Sequence, residues 1–304
     1  MQAPTPVRKA KRRRSRVRYW MRRLLFLLIL LLPFGIWWGW SAWRHLPLQA
    51  EGNAPRIVSG QPIYVAVMGV DERKDDVGRS DTLMLVRLDP KANKLDVISI
   101  PRDTRITYDT GKQSKINAAY SIGGPDLTTQ VLSTLLDIPR PYYLKVNFQA
   151  FQEIVDQIGG VEIDVDKHYT YSDPYQNLYI DIPAGHQVML GDQALKYVRM
   201  RYDGVTNSDI ARVSRQQQFL KALKDKLSSP YYVTRVPALV DILRTYVTTN
   251  IPEADQLKLA QALFKARGAL TTSTLPGTDA QDKSGDWLID TTAWKGVTAT
   301  WQTN

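Results

Sequence analysis

The feature that most constrains this chain is a run of twenty residues without a charged side chain, residues 24–43. A helix of that length rises about 30 Å, which matches the hydrocarbon core of a bilayer. The run contains Pro33 and Gly35, which membrane-spanning helices tolerate, and four tryptophans crowd its far end as in an interfacial aromatic belt. It is too long for the apolar region of a signal peptide, and no small-residue cleavage site follows it. We therefore expect a single membrane-spanning helix.

The positive charge of the chain is concentrated in front of this apolar segment. The net charge is +10, from 40 Lys and Arg against 30 Asp and Glu, but ten of the basic residues lie within residues 1–23, which contain no acidic residue. From residue 45 onward the chain has 29 basic and 30 acidic residues. The positive-inside rule places residues 1–23 in the cytoplasm and the remainder outside the cell membrane. A charge-balanced outer part disfavours nucleic-acid binding, and the absence of cysteine excludes disulfides, zinc–thiolate sites and a cysteine nucleophile.

The part of the chain after the span alternates between strand and helix patterns. Residues 44–61 contain Pro, Gly and Ser without periodicity and predict a linker, followed by an extracytoplasmic domain over residues 62–304 with its core in 62–227. Apolar or alternating runs predict strands at 63–70, 82–88, 95–100, 161–165 and 197–202. Helical spacing predicts helices at 125–136, 148–158 (capped by Asn147), 209–227 and 254–267. This alternation favours an α/β fold in which helices flank a mixed central sheet, and leaves open whether the last seventy residues form an accessory flap.

Charged residues follow or precede the first three predicted strands. Asp71 comes directly after the first strand, Arg79 and Asp81 lie just before the second, and Arg102 follows the third. Ligands of open α/β sheets bind at the carboxyl ends of strands, so parallel strands would bring Asp71 and Arg102 together. Each of these residues taken alone is equally consistent with an ordinary turn or surface position.

The predicted helix 209–227 carries polar residues on its apolar face. At 100° per residue, Asp209, Arg212 and Gln216 fall on the stripe formed by Val213, Leu220, Leu223 and Leu227. The opposite side holds Ser214, Arg215, Gln218, Lys221, Asp225 and Lys226. A buried charge is costly unless it is paired or binds a ligand. Either Asp209 and Arg212 form an internal ion pair, or this end of the helix covers a polar pocket.

Two further arginines, Arg199 and Arg201, fall on one face of the predicted strand 197–202. Neighbouring arginines repel each other unless an anion lies between them, and the planar guanidinium suits phosphate oxygens. Asp71 and Asp81, placed among arginines, could hold Mg²⁺ against a diphosphate, because hard cations bind carboxylate and phosphate oxygens together. The sequence has no P-loop, no G-x-S-x-G and no H-E-x-x-H motif.

Six segments of the chain, in this order, resemble the LytR-CpsA-Psr family of membrane-anchored cell-wall enzymes. They are VMGVDERKDDVGRSDTLMLVRLD, ISIPRDTRI, KINAAYSIGG, FQEIVDQIGGVEIDV, IPAGHQVMLGDQALKYVRMRY and DIARVSRQQQFLKAL, and they span most of residues 62–227. The resemblance implies a domain that binds a polyprenyl-pyrophosphate glycan with its prenyl tail in an apolar cleft. It also implies transfer of the glycan phosphate to a peptidoglycan hydroxyl, with release of prenyl phosphate.

The resemblance also assigns site residues. The functional positions of the family correspond to Asp71, Arg79, Asp81, Arg102, Arg199, Arg201, Asp209, Arg212 and Gln216, with Arg105 and Lys115 as further pyrophosphate ligands. Asp71 and Asp81 correspond to the Mg²⁺-associated carboxylates, and the residues do not show which aspartate is the general base. Two alternatives use the same residues: a hydrolase of the same lipid diphosphate, with water as the nucleophile, and a non-catalytic lipid-binding module.

Overall fold

The computed structural model of the chain describes residues 48, 50–51, 54–70, 80–108, 110–173, 178–200, 209–227, 229, 231, 235–266, 269–282 and 284–302. The predicted cytoplasmic segment and membrane span, residues 1–23 and 24–43, lie outside these residues. None of the helices within the described ranges has both the length and the apolar character needed to cross a bilayer.

The strands are β1 (Ile63–Val70), β2 (Ser80–Asp89), β3 (Lys94–Ile100), β4 (Arg105–Thr107), β5 (Gln113–Lys115), β6 (Tyr142–Asn147), β7 (Val161–Val165), β8 (Tyr169–Asp173), β9 (Leu178–Ile182), β10 (Gly185–Met189), β11 (Val247–Thr249), β12 (Leu270–Thr274), β13 (Gly277–Asp279) and β14 (Trp287–Ile289). The helices are α1 (Ile116–Leu136), α2 (Phe148–Gln157), α3 (Gly191–Arg199), α4 (Asp209–Leu227), α5 (Val236–Tyr246), α6 (Glu253–Ala266) and α7 (Thr291–Gln302).

The central sheet is mixed, as the sequence predicts, with the order β11–β6–β1–β2–β3–β12. β1 pairs with β6 in parallel and with β2 antiparallel, and β2 pairs antiparallel with β3. β12 pairs in parallel with β3, and β11 antiparallel with β6. The last seventy residues therefore supply both edge strands of the main sheet, β11 and β12, rather than a separate flap.

Helices cover both faces of this sheet. On one face, α1 and α7 pack against the apolar side chains of β1 to β3, with Leu132 and Trp294 buried in the contact. On the other face, α6 packs over Ile63, Val65 and Leu88. A further core joins α2, α3 and α4 to β7 and β9, which lie in small two-stranded sheets outside the central one. This arrangement gives the predicted α/β fold, with helices flanking a mixed sheet.

Several predicted element boundaries agree with the structure. α4 has the predicted bounds, and α2 begins after Asn147, whose side chain accepts a hydrogen bond from Ala150 N at 2.7 Å. The chain leaves α2 through Gly159 and Gly160, whose φ angles of 75° and 79° suit glycine. The predicted helix 125–136 is the second half of α1, which begins nine residues earlier and bends at the non-helical Gly123 and Gly124.

The predicted strand 197–202 is wrong, because α3 extends to Arg199 and Met200 caps it. Ala194, Leu195 and Val198 are buried at positions i, i+1 and i+4, which is helical spacing. The alternation of arginines with apolar residues over a few positions imitated a strand. Arg199 therefore projects from the last turn of a helix.

Several described residues of the predicted linker contact the domain. The main chain of Leu48 exchanges hydrogen bonds with the Gln256 side chain, and Glu51 N donates to Thr249 O at 2.7 Å. Ile57 is buried, and its backbone N–H donates to the carboxylate of Asp255 at 3.0 Å. These contacts hold Leu48, Glu51 and Ile57 against α6 and β11.

Candidate active site

Four strand ends meet at one edge of the central sheet. Because β1, β3 and β6 run in the same direction and β2 runs against them, the ends of β1, β3 and β6 lie beside the start of β2. Asp71 follows β1 in the sequence, and Arg102 follows β3 after one residue. The prediction that strand ends gather the charged residues at one edge is consistent with this topology, although β1 and β3 are separated by the antiparallel β2.

A β-bulge distinguishes this edge. Gly69 pairs with Thr82, but Val70 pairs with Ser80, so Asp81 is an extra residue opposite the end of β1. Bulges bend a strand, re-aim side chains and are frequent beside active sites. A Cβ at Gly69 would lie 3.1 Å from Thr82 Cβ, so glycine relieves a tight contact at this position.

Behind this edge lies an apolar cavity of about 240 Å³ between the sheet and three helices. Its walls are the apolar side chains of Val67, Met84, Val146, Phe148, Phe151, Ile154, Val155, Leu195, Val198, Phe219, Leu220 and Leu223. Its few polar lining residues are Thr82, Asn147, Arg199 and Gln216. An apolar volume with a small polar group of residues suits a ligand with a hydrocarbon part and a charged part.

Arg199 and Gln216 are held at the cavity by their surroundings. The guanidinium carbon of Arg199 lies 4.3 Å from the centre of the Phe148 ring, a cation–π contact that fixes the side chain at the start of α2. Gln216 Nε2 donates hydrogen bonds to Thr82 Oγ1 at 3.1 Å and to Val198 O at 3.2 Å. Gln216 therefore joins α4 to β2 and to α3 within the wall of the cavity.

The buried face of α4 is more cationic than the sequence predicts. Arg212 and Gln216 are buried, with 3% and 6% of their surface exposed, as the stripe predicts. Arg215, predicted on the solvent side, is also buried at 5%, whereas Leu227 of the predicted stripe is 40% exposed. The buried stripe is wider than predicted, because α3 and β8 pack against the side of α4 that carries Arg215 and Phe219.

Three of the predicted cationic residues form a cluster with carboxylates near the end of β3. Asp103 contacts both Arg102 Nε at 3.4 Å and Lys115 Nζ at 3.0 Å. Arg105 binds Asp282 Oδ2 at 2.5 Å and Asp286 Oδ2 at 2.6 Å. The Ser284 hydrogen bonds and the Arg105 guanidinium hold the pKa of the Asp282 carboxyl well below its usual range.

The sequence analysis did not assign Asp103, Asp282 or Asp286 to the site. In the structure their carboxylates oppose the charges of Arg102, Arg105 and Lys115. Asp282 and Asp286 lie between the short strands β13 and β14. They are close to β4 only in the tertiary structure, so no local pattern in the sequence indicated them. The C-terminal segment thus takes part in the surroundings of Arg102.

The remaining predicted residues are described only in part. Asp71, Arg79 and Arg201 lie outside the described residues. For Asp81 and Asp209 the structure describes the backbone alone, at the bulge of β2 and at the first residue of α4. Among the described residues, no three His, Asp or Glu side chains gather as metal ligands.

The sequence of the chain is similar to that of known cell-wall enzymes. The sequence profile of the LytR_cpsA_psr family matches residues 48–303. The polyisoprenyl-teichoic acid–peptidoglycan teichoic acid transferase TagU of Bacillus cereus is 34% identical over 226 residues, covering 73% of this chain and 72% of the relative. TagV of Bacillus subtilis, a transferase of the same description, is 33% identical over 257 residues, covering 78% of this chain and 65% of the relative.

Solved structures give the same result. The crystal structure of Bacillus subtilis TagV has a TM-score of 0.66 at 31% identity and covers 81% of this chain and 98% of that one. A structure of TagT bound to LI-WTA has a TM-score of 0.62 at 26% identity, covering 84% and 95%. Profile, sequence identity and fold agree over most of the chain, which is a member of the LytR-CpsA-Psr family.

Proposed function

We propose that this chain is a membrane-anchored phosphotransferase that moves an anionic glycopolymer from a polyprenyl-pyrophosphate carrier onto a peptidoglycan hydroxyl. The relatives named as teichoic acid transferases support the reaction class. The observation that carries the proposal is the apolar cavity with Arg199 and Gln216 in its wall, behind the sheet edge of Arg102 and Asp81. The cavity suits the prenyl chain, and the polar residues suit the diphosphate.

In the proposed reaction the acceptor hydroxyl oxygen attacks the phosphorus atom that bears the glycan. A new P–O bond joins the glycan phosphate to peptidoglycan, and the bond from that phosphorus to the bridging oxygen of the diphosphate breaks. The bridging oxygen leaves with the polyprenyl phosphate, and the hydroxyl proton goes to a carboxylate, for which Asp71 and Asp81 are the candidates. Because charge on the phosphoryl oxygens must be neutralised, arginines supply most of the assistance.

The described arginines of the proposed site lie in two places, on the helices around the cavity and beyond the end of β3. Arg199 and Arg212 belong to the helices around the cavity, and we assign to them the diphosphate oxygens. Arg102 lies next to Asp103 and Lys115 beyond β3, and we assign to it the same anion from the sheet side. Arg79, Arg201, Arg105 and Lys115 complete the proposed set of cations.

Asp71 and Asp81 would hold Mg²⁺, since paired carboxylates are ligands that this ion prefers. Support for this assignment comes from the bulge, where the backbone of Asp81 lies opposite Val70, the residue that Asp71 follows in the sequence. When bound, the ion would neutralise part of the charge of the diphosphate.

We propose that residues 24–43 anchor the chain in the cell membrane as a single span, with residues 1–23 in the cytoplasm and the domain outside. The uncharged run and the basic residues before it support this topology. Access of an impermeant reagent to a C-terminal tag on intact cells tests it. Labelling of intact cells supports the topology, and labelling only after lysis contradicts it.

The reaction is tested by incubating the purified chain with a labelled polyprenyl-diphosphate glycan, Mg²⁺ and peptidoglycan oligomers. Transfer of label to the oligomers is expected, and Arg102→Ala should reduce it roughly 10- to 1,000-fold. Arg140→Ala is the matched control, because Arg140 forms an exposed ion pair with Asp126.

Each outcome separates the proposal from its alternatives. Release of labelled phosphoglycan without transfer to the acceptor would indicate the hydrolase. Retention of the lipid without turnover would indicate the binding module. Normal turnover in Arg102→Ala would contradict the role of that residue.

A further inference from the structure

Arg215 is a buried cation whose role the site described above does not explain. It precedes Gln216 on α4, and 5% of its surface is exposed. Its Nη2 donates a hydrogen bond to the carbonyl oxygen of Met200, and its guanidinium carbon lies 5.3 Å from the centre of the Tyr169 ring. Burial of a guanidinium is costly, so these contacts must be specific to be retained.

The Tyr169 ring, which contacts the Arg215 guanidinium, is held by further contacts. Tyr169 donates a hydrogen bond from its hydroxyl to Asp166 Oδ1 at 2.7 Å and meets Tyr197 edge to face, with ring centres 6.3 Å apart. The Tyr197 hydroxyl donates a hydrogen bond to Gln218 Oε1 at 2.7 Å, and Gln218 belongs to α4, the helix that carries Arg215. The guanidinium of Arg215 therefore packs against the Tyr169 ring, which meets Tyr197, and both rings are themselves hydrogen-bonded.

Arg215 and Gln216, neighbours on α4, each donate a hydrogen bond to a backbone carbonyl at the end of α3. Gln216 donates to the carbonyl oxygen of Val198, which belongs to the peptide bond leading into Arg199. Arg215 donates to the carbonyl oxygen of Met200, which belongs to the peptide bond leading into Arg201. Both predicted diphosphate ligands thus follow a peptide group that α4 fixes. Met200 also closes α3, its N–H donating to Lys196 O at 3.1 Å.

We propose that Arg215 is a positioning residue that fixes the Met200 carbonyl at the end of α3, and thereby holds Arg199 in place for the diphosphate of the lipid carrier. This inference rests on the proposed function and adds to it a residue that touches no substrate. Arg215 is absent from the lining of the apolar cavity. Its loss should therefore weaken recognition of the charged head and leave recognition of the prenyl chain intact.

The test compares binding of farnesyl diphosphate and farnesol by the full chain in detergent micelles. In Arg215→Met, the affinity for the diphosphate is expected to fall about 10- to 100-fold, the loss expected when one charged hydrogen bond to the anion is misaligned. The affinity for the alcohol should stay within the error of the measurement. Arg215→Lys retains a donor for the Met200 carbonyl but lacks the planar fork, so it should lose less diphosphate affinity than the methionine variant.

Arg87→Met is the matched control. Arg87 is another buried arginine, 2% exposed, that donates to a backbone carbonyl, that of Trp301 at 3.3 Å, and lies 4.9 Å from the centre of that tryptophan ring. It belongs to the opposite face of the sheet, next to α7. Its replacement should lower the melting temperature and leave the preference for the diphosphate unchanged.

An equal loss of affinity for both ligands in a folded Arg215 variant would overturn the inference, and so would wild-type affinity for the diphosphate. If circular dichroism shows that Arg215→Met does not fold, the same two results are sought in Arg215→Lys, and either of them would overturn the inference. No preference for the diphosphate in the wild-type chain would instead overturn the proposed function, and this inference with it.

Discussion

Gln216 on α4 and Thr82 on β2 are joined by a hydrogen bond of 3.1 Å from the amide Nε2 to the hydroxyl Oγ1, although 134 residues separate them. The same amide group reaches Val198 O of α3. Thr82 is the residue opposite Gly69, one position from the bulge at Asp81. The helix that carries the buried arginines is thus connected directly to the sheet edge where the strand ends meet.

Replacement of Gln216 by leucine should affect both stability and transfer. The leucine keeps the volume but leaves Val198 O without this donor, which costs about 1–3 kcal/mol for a buried polar group. We expect a lower melting temperature and a loss of transfer. Gln217→Leu is the control, because Gln217 donates to Thr274 Oγ1 at 3.1 Å and lies outside the cavity lining. Equal transfer rates in the two variants would contradict a special role for Gln216.

Removal of the Arg199 side chain should slow transfer strongly and change stability little. Arg199→Ala removes a cation whose place over Phe148 is fixed, and loss of one preorganised donor reduces turnover by about 100- to 1,000-fold. The measurement is the initial rate of label transfer at saturating lipid. Lys196→Ala on the same helix is the control, since Lys196 forms a surface pair with Asp192. A rate in Arg199→Ala within a factor of two or three of the control would reject the assignment.

A bulky residue in the cavity wall should prevent lipid binding without unfolding the domain. Leu223 lines the cavity, whereas Leu227, one helical turn later, is 40% exposed. Leu223→Trp should raise the Kd for farnesyl diphosphate by about 5- to 150-fold, since overfilling a packed space costs about 1–3 kcal/mol. Leu227→Trp should bind like the wild type. If both variants bind normally, the prenyl chain occupies another place.

The contact between residues 56–57 and α6 should weaken in acid. The fully buried Asp255 carboxylate binds Arg56 at 2.5 Å and Lys258 at 2.8 Å, and these contacts hold its pKa well below the usual range. A carboxyl with a lowered pKa in the folded state stabilises that state above its unfolded pKa of about 4, and this stabilisation is lost as the pH falls below that value.

The measurement for this contact is the melting temperature between pH 7 and pH 2. Asp255→Asn should reduce the melting temperature at pH 7 and flatten its decline below about pH 4, the ordinary pKa of an aspartate. Asp126→Asn serves as the control, because Asp126 is 76% exposed in its pair with Arg140 and exposed pairs contribute little. Parallel acid profiles for the wild type and Asp255→Asn would show that another group controls the decline.

Local sequence patterns determined the strands at β1 to β3, the bounds of α4, the cap of α2 and the α/β fold class. These signals need only apolar periodicity, a capping residue and a glycine that tolerates positive φ, all of which act within a few residues. The same reasoning identified Arg212 and Gln216 as buried polar residues, because a helix has one period and therefore one predictable apolar stripe. The family was identifiable from the order of six short segments.

The tertiary structure decided the rest. The last residues of α3, from Tyr197 to Arg199, were mistaken for a strand because a few alternating residues fit both periods, and only packing against α2 and α4 selects the helix. Arg215 was placed on the solvent side because a helical wheel cannot show how many neighbours surround a helix. The carboxylates of Asp282 and Asp286 reach Arg105 across more than 170 residues. The sequence by itself determined which residues have the chemistry for a diphosphate, and the fold determined which of them share a pocket, since contacts between distant segments depend on packing that no local pattern encodes.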